Sequence, residues 1–286
     1  MDKLSDPSQW ADSLHTFHAH PFMAKGGFPS KAVVVSPHPD DAAFSLAATL
    51  KLLVSAGSKV QIINCFTVSR FAPFAAPNCK LSVMTRRRHE EEIFLHHLGG
   101  NSRSDDLGLI DAPARSGGGL RGILARNLSS QDATESINLL GESLEEPAED
   151  TAVLVPLAIG NHSDHFITRQ AALARYRGRV VAFYEDLPYA AAVSEYQIEA
   201  TVRKTEELHG EELRPLLVHW PGDAEWKRLC CSFYKSQVSA AGIQKIVDYM
   251  NKQKGERLWC SARFVNDWKW RPTYGLRVEC QELSFV

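Results

Sequence analysis

Ala32-Val33-Val34-Val35-Ser36-Pro37-His38-Pro39-Asp40-Asp41 is the stretch on which the reading of the fold turns. Its first half is a short apolar, β-branched run and reads as a strand. Pro37 and Pro39 stop it, since neither can donate a ladder hydrogen bond. Asp40 and Asp41 suit a helix start, where short carboxylates accept bonds from free N–H groups. The segment from Ala43 to Val54 reads as that helix, closed by Gly57. One imidazole and two carboxylates therefore stand where a strand turns into a helix. In open α/β sheets the crevice at the carboxyl ends of the strands is where ligands bind.

The same arrangement recurs downstream. Ala152-Val153-Leu154-Val155 is a second strand-like run, and after it His162-Ser163-Asp164-His165 opens a helical segment that reaches Arg175. His162 and His165 are spaced to share a face on a helical turn. A single histidine-aspartate motif reads as well as a capped helix or a surface turn. Two of them, each after a strand, point to a metal site. Two histidines and one aspartate suit zinc, and three protein ligands leave a fourth position for water, as a catalytic site needs.

Between and beyond these motifs the chain alternates. Strands are predicted over Lys59–Phe66, Leu107–Ile110, Val180–Tyr184 and Pro215–His219. Helices are predicted over Met84–Leu98, Glu135–Leu144, Ala191–Glu206 and Ala224–Gln237. The pattern predicts a three-layer, Rossmann-like α/β fold with a mainly parallel sheet. Neither G-x-G-x-x-G nor a P-loop follows any of these strands, so no dinucleotide or nucleotide cofactor is implied. Ser69–Val83 and Pro113–Asp132 read as long loops around a site, with Phe71 and Phe74 of the first placed to cover part of a bound ligand.

Composition narrows the class further. A chain of 286 residues with 44% hydrophobic content can bury a sizeable core in one domain. We expect that domain over residues 31–286, after a mixed, polar extension over residues 1–30 that carries His15, His18 and His20. A net charge of −2 without a long basic run argues against nucleic-acid binding. No signal-peptide or membrane-spanning stretch is expected. The six cysteines show no C-x-x-C spacing and read as reduced thiols of a cytoplasmic protein. A homo-oligomer is compatible with all of this.

Taken together, His38-Pro39-Asp40-Asp41 and His162-Ser163-Asp164-His165 resemble the motifs of the LmbE-like (PIG-L) family of metal-dependent N-deacetylases. Arg87-Arg88-His89-Glu90, Tyr184-Glu185-Asp186-Leu187-Pro188-Tyr189 and Tyr234-Lys235-Ser236-Gln237 extend the similarity. Ala42 departs from it, since the family usually has an acidic residue there. The resemblance implies that His38, Asp41 and His165 bind the metal, that Asp40 is the general base and that His162 stabilises the tetrahedral intermediate. Asp164 would orient and charge His162, and Arg87 would contact substrate. The metal implied is Zn2+, with Fe2+ or another divalent ion compatible with the same donors. The expected reaction is removal of an N-acyl group, foremost acetyl, from an amino sugar or glycoconjugate. An amidase acting on a larger conjugate, or an inactive metal-binding protein that recognises carbohydrate, are the alternatives.

Overall fold

The computed structural model describes residues 28–75, 82–116, 123–124, 129–267 and 277–280. Most of the expected N-terminal extension, the end of the loop from Ser69 and the middle of the loop from Pro113 lie outside the described residues.

The sheet begins where the sequence is most apolar. β1 (Lys31–Ser36) and β4 (Thr151–Pro156) lie side by side at its centre, and their residues are almost all buried. Strands buried on both faces carry continuous apolar runs, which is the pattern read above. β2 (Lys59–Asn64) pairs with β1, β3 (Ser102–Asp106) with β2, and β5 (Val181–Tyr184) with β4, all parallel. Beyond β5 the sheet turns mixed. β7 (Glu256–Cys260) runs antiparallel to both β5 and β6 (Arg214–His219), and β8 (Arg277–Cys280) antiparallel to β6. The order is β3-β2-β1-β4-β5-β7-β6-β8. The α/β fold with a mainly parallel sheet is thus as expected, with three antiparallel pairings at one side.

Helices α1 (Asp41–Ser55), α2 (Val83–Leu98), the short α3 (Ala112–Arg115), α4 (Ser130–Ser143) and α5 (Ser163–Arg175) belong to the parallel half. α6 (Glu195–His209), α7 (Asp223–Ser232), α8 (Ala240–Gln253) and α9 (Ala262–Asp267) belong to the mixed half. α1 packs against α2 and α7, and α4 against α5. Right-handed crossovers place α1 and α5 on opposite faces, because the chain leaves β1 toward β2 but leaves β4 toward β5. The strand order therefore reverses between β1 and β4. That reversal is a topological switch point, and both histidine motifs follow it directly.

α1 is anchored by groups inserted along its backbone. Lys227 of α7 is fully buried and donates to the Phe44 carbonyl at 2.7 Å. Glu256 of β7 pairs with Lys227 and accepts from the N–H groups of Ala48 and Thr49 at 2.8 and 2.7 Å. In an ideal helix the Ala48 N–H would meet the Phe44 carbonyl. A buried ion pair thus meets both partners of that bond and ties α1 to α7 and β7.

α2 is held by buried carboxylates. Glu90 accepts from the N–H and hydroxyl of Ser236, and Glu91 accepts from the Tyr234 hydroxyl at 2.5 Å. Burial pushes the Glu91 carboxyl up to about 8. Glu91 Oε1 and Asn64 Oδ1 are buried without a hydrogen-bond partner among the described residues. Above its ordinary range near 4.5 the unfolded chain loses the Glu91 proton while the folded chain keeps it. Stability attributable to Glu91 therefore declines as pH rises from about 4.5 to about 8, with a limiting slope of about 1.4 kcal/mol per pH unit. Denaturant unfolding of Glu91→Gln and wild type across that range should show the variant gaining on wild type as pH rises. A constant difference would mean that Glu91 is ionised in the fold.

Candidate metal centre

Asp40 and Asp41 are not used as helix caps. Asp40 occupies the N-cap of α1 but makes no side-chain cap bond. Its Oδ1 instead accepts from Arg87 of α2 at 2.9 Å. Asp41 turns backward, its Oδ2 accepting from the His38 N–H at 2.8 Å and meeting His38 Nδ1 at 3.0 Å. The same Oδ2 lies 3.3 Å from His165 Nε2. The candidate donor atoms of His38, Asp41 and His165 all lie within 4.8 Å of one another, and all three residues are buried.

Each of the two histidines has one nitrogen toward Asp41 and a carboxylate behind the other. His38 Nε2 meets Asp164 Oδ2 at 3.0 Å, and His165 Nδ1 meets Asp186 Oδ1 at 2.6 Å. Burial opposes charge on His38, yet Asp164 and Asp41 raise it to about 10. Burial likewise works against Asp41, but His165 and His38 bring it down to about 2. His165 Nε2 is buried and has no hydrogen-bond donor or acceptor of good geometry among the described residues. A nitrogen lone pair directed at a buried carboxylate oxygen and a second imidazole is the donor arrangement that a divalent cation completes.

The turn that brings His162 and His165 here is strained. Ala158, Gly160 and Asn161 all have positive φ. At Gly160 an added Cβ would lie 2.8 Å from Tyr189, whose ring packs against His165 with centroids 5.2 Å apart. Asp186 stabilises the turn as well as the ring, since its Oδ2 accepts from the Ile159 N–H at 2.9 Å. His162 is the N-cap of α5, and its Nδ1 accepts from the Asp164 N–H at 3.2 Å. The proton of the neutral ring then sits on Nε2. Burial and the neighbouring His165 and His38 push His162 down to about 3, so it is a neutral donor, not the charged one anticipated from the sequence.

The structure also revises two expected partnerships. The Asp164 carboxylate bonds to His38, to the Ala112 N–H at 2.8 Å and to Arg115 at 2.5 Å; its link to His162 is through its backbone. Arg87 is buried, with Asp40 and Ser69 as its partners. Of Tyr184, Glu185 and Asp186, only Asp186 enters the cluster. Tyr184 donates to the Val35 carbonyl, and Glu185 is held by Tyr249, Arg257 and Trp259. Ala42 is fully buried in the apolar core. Asp186 was visible in the sequence within the Tyr184–Tyr189 stretch after a strand but without a role, and Arg115 gave no signal within its loop.

The family model described as PIG-L, GlcNAc-PI de-N-acetylase, matches residues 33–176, half of the chain and both histidine motifs. The chain belongs to the PIG-L family. It is 32% identical over 183 residues to the 2'-N-acetylparomamine deacetylase of Streptomyces fradiae, a match covering 61% of this chain and 63% of that protein. The match thus spans less than two thirds of the curated relative. Among solved structures, a deacetylase from the teicoplanin biosynthesis pathway superposes with a TM-score of 0.59 at 22% identity, covering 80% of this chain and 96% of that one. The zinc-inhibited form of teicoplanin deacetylase gives 0.57 at 21% identity, covering 80% and 97%. These two solved structures share the fold of this chain. No helix of the described residues is long and apolar enough to cross a membrane.

Proposed function

We propose that this PIG-L protein is a metal-dependent amide hydrolase that removes an N-acyl group, foremost acetyl, from an amino sugar or glycoconjugate. The observation that carries this reading is the convergence of His38, Asp41 and His165 beside an uncapped Asp40, with His165 Nε2 left open. Family membership and the deacetylase relatives support it.

In this reading His38, Asp41 and His165 hold the ion. A zinc ion held there would polarise an acyl carbonyl and lower the pKa of water toward about 7. Asp40 takes the proton of the attacking water; Arg87 fixes its Oδ1 and leaves Oδ2 for the transfer. His162 donates through Nε2 to the oxygen that becomes negative as the carbonyl carbon turns tetrahedral. When the C–N bond breaks, the leaving nitrogen receives the proton from Asp40, which regenerates the carboxylate. Asp164 contributes by orienting His38. Arg87 acts through Asp40, and any contact with substrate would be made from that position.

Acetate release from a panel of N-acetylated amino sugars tests the reading. Release should cease on chelation and return when zinc is restored. Sugar binding with no acetate released from any of the panel would replace this reading with that of a metal-binding recognition protein.

A further inference from the structure

Two possible metal triads overlap at His38. One is His38, Asp41 and His165, the other His38, His162 and Asp164, and within each the donor atoms lie within 4.8 Å of one another. All five residues are buried. His38 meets the first carboxylate through Nδ1 and the second through Nε2. Both sets are two imidazoles and a carboxylate, a combination that zinc accepts, so residue type does not choose between them.

The carboxylates differ in their other partners. Asp41 Oδ2 meets the His38 N–H and ring and the His165 ring. Asp164 is occupied on both oxygens, Oδ1 by Arg115 at 2.5 Å and Oδ2 by the Ala112 N–H at 2.8 Å beside His38 Nε2. Arg115 is itself fixed, donating to the Ile110 carbonyl at 2.6 Å with its guanidinium 5.0 Å above the Phe66 ring.

We propose that Arg115 is a positioning residue that decides which triad takes the metal: by holding Asp164 it closes the His38–His162–Asp164 triad, directs the ion to Asp41 and His165, and leaves His162 free to face substrate. An ion entering the second triad has to displace a charge-assisted bond from Asp164. It also leaves a partly buried guanidinium unpaired beside a dication, so desolvation and repulsion act in the same direction.

The inference rests on the metal-centre reading above and is tested with the ion alone. Wild type and Arg115→Met are titrated with Co2+, following bound metal by equilibrium dialysis and the ligand-field spectrum. Wild type should bind about one equivalent with a four- or five-coordinate spectrum. Arg115→Met should also bind about one, because the two triads share His38, but with an altered spectrum, because Asp164 becomes free to act as a ligand. Adding His162→Ala to Arg115→Met should restore the wild-type spectrum. An unchanged spectrum in Arg115→Met, or an altered one that persists without His162, overturns the role given to Arg115. Absence of metal uptake by wild type would overturn the metal-centre reading itself.

Discussion

Asp40→Asn is expected to retain its metal and to lose turnover by about 10²- to 10⁴-fold, the range typical of losing a general base. The substitution suits the local geometry. Asp40 makes no cap bond to α1, and its Oδ1 accepts from Arg87. An asparagine oxygen can keep that bond, so the side chain stays in place. The group facing the attacking water then becomes an amide, which cannot take a proton at neutral pH. Asp41 makes its bonds to His38 and His165 independently, so the ligand set is untouched. Metal content measured beside kcat for acetate release separates the two roles. Near-normal kcat with unchanged metal content rules out Asp40 as the base.

The clarity of the sequence signal varied along the chain for physical reasons. β1 and β4 are covered on both faces, so they had to be apolar runs, and the loops after them had to carry the site because the strand order reverses there. β3 was misplaced at Leu107–Ile110, whereas it forms over Ser102–Asp106. It is an edge strand with a polar, partly exposed sequence, and propensity has little to register in such a strand. Leu107 and Leu109 looked like the strand because they are apolar, yet their N–H groups bond to the Asn64 and Cys65 carbonyls just past it.

The mixed half was harder to read. β7 opens with Glu256, a charge that is tolerated inside only because Lys227 and the backbone of α1 meet it. Nothing local announces such a pairing, and β7, α8, α9 and β8 were not anticipated. At the site, the residues of the two histidine motifs were legible, Arg87 and Asp186 were visible without their partners, and Arg115 was not seen. Arg115 is supplied by the short α3 after β3, and its partner Asp164 lies far along the chain.

His165→Ala is expected to abolish stoichiometric metal binding and, with it, turnover. His165 is the one member of the His38–Asp41–His165 triad whose site-facing atom, Nε2, lacks a well-formed hydrogen bond, so that atom has the most to gain from the ion. Removing it leaves two protein ligands where a catalytic zinc site needs three. Asp186→Asn provides the graded counterpart. Its carboxylate accepts from His165 Nδ1 and from the Ile159 N–H, holding both the ring and the strained turn that precedes His162. An amide in its place can still hold one of these donors, but it withdraws the charge that makes Nε2 a better ligand. Metal affinity should therefore fall by about 10- to 100-fold without being lost. Chelator competition on the three proteins should rank wild type above Asp186→Asn and Asp186→Asn above His165→Ala. Full metal retention in a folded His165→Ala protein would move the ion out of this triad and overturn the ligand assignment.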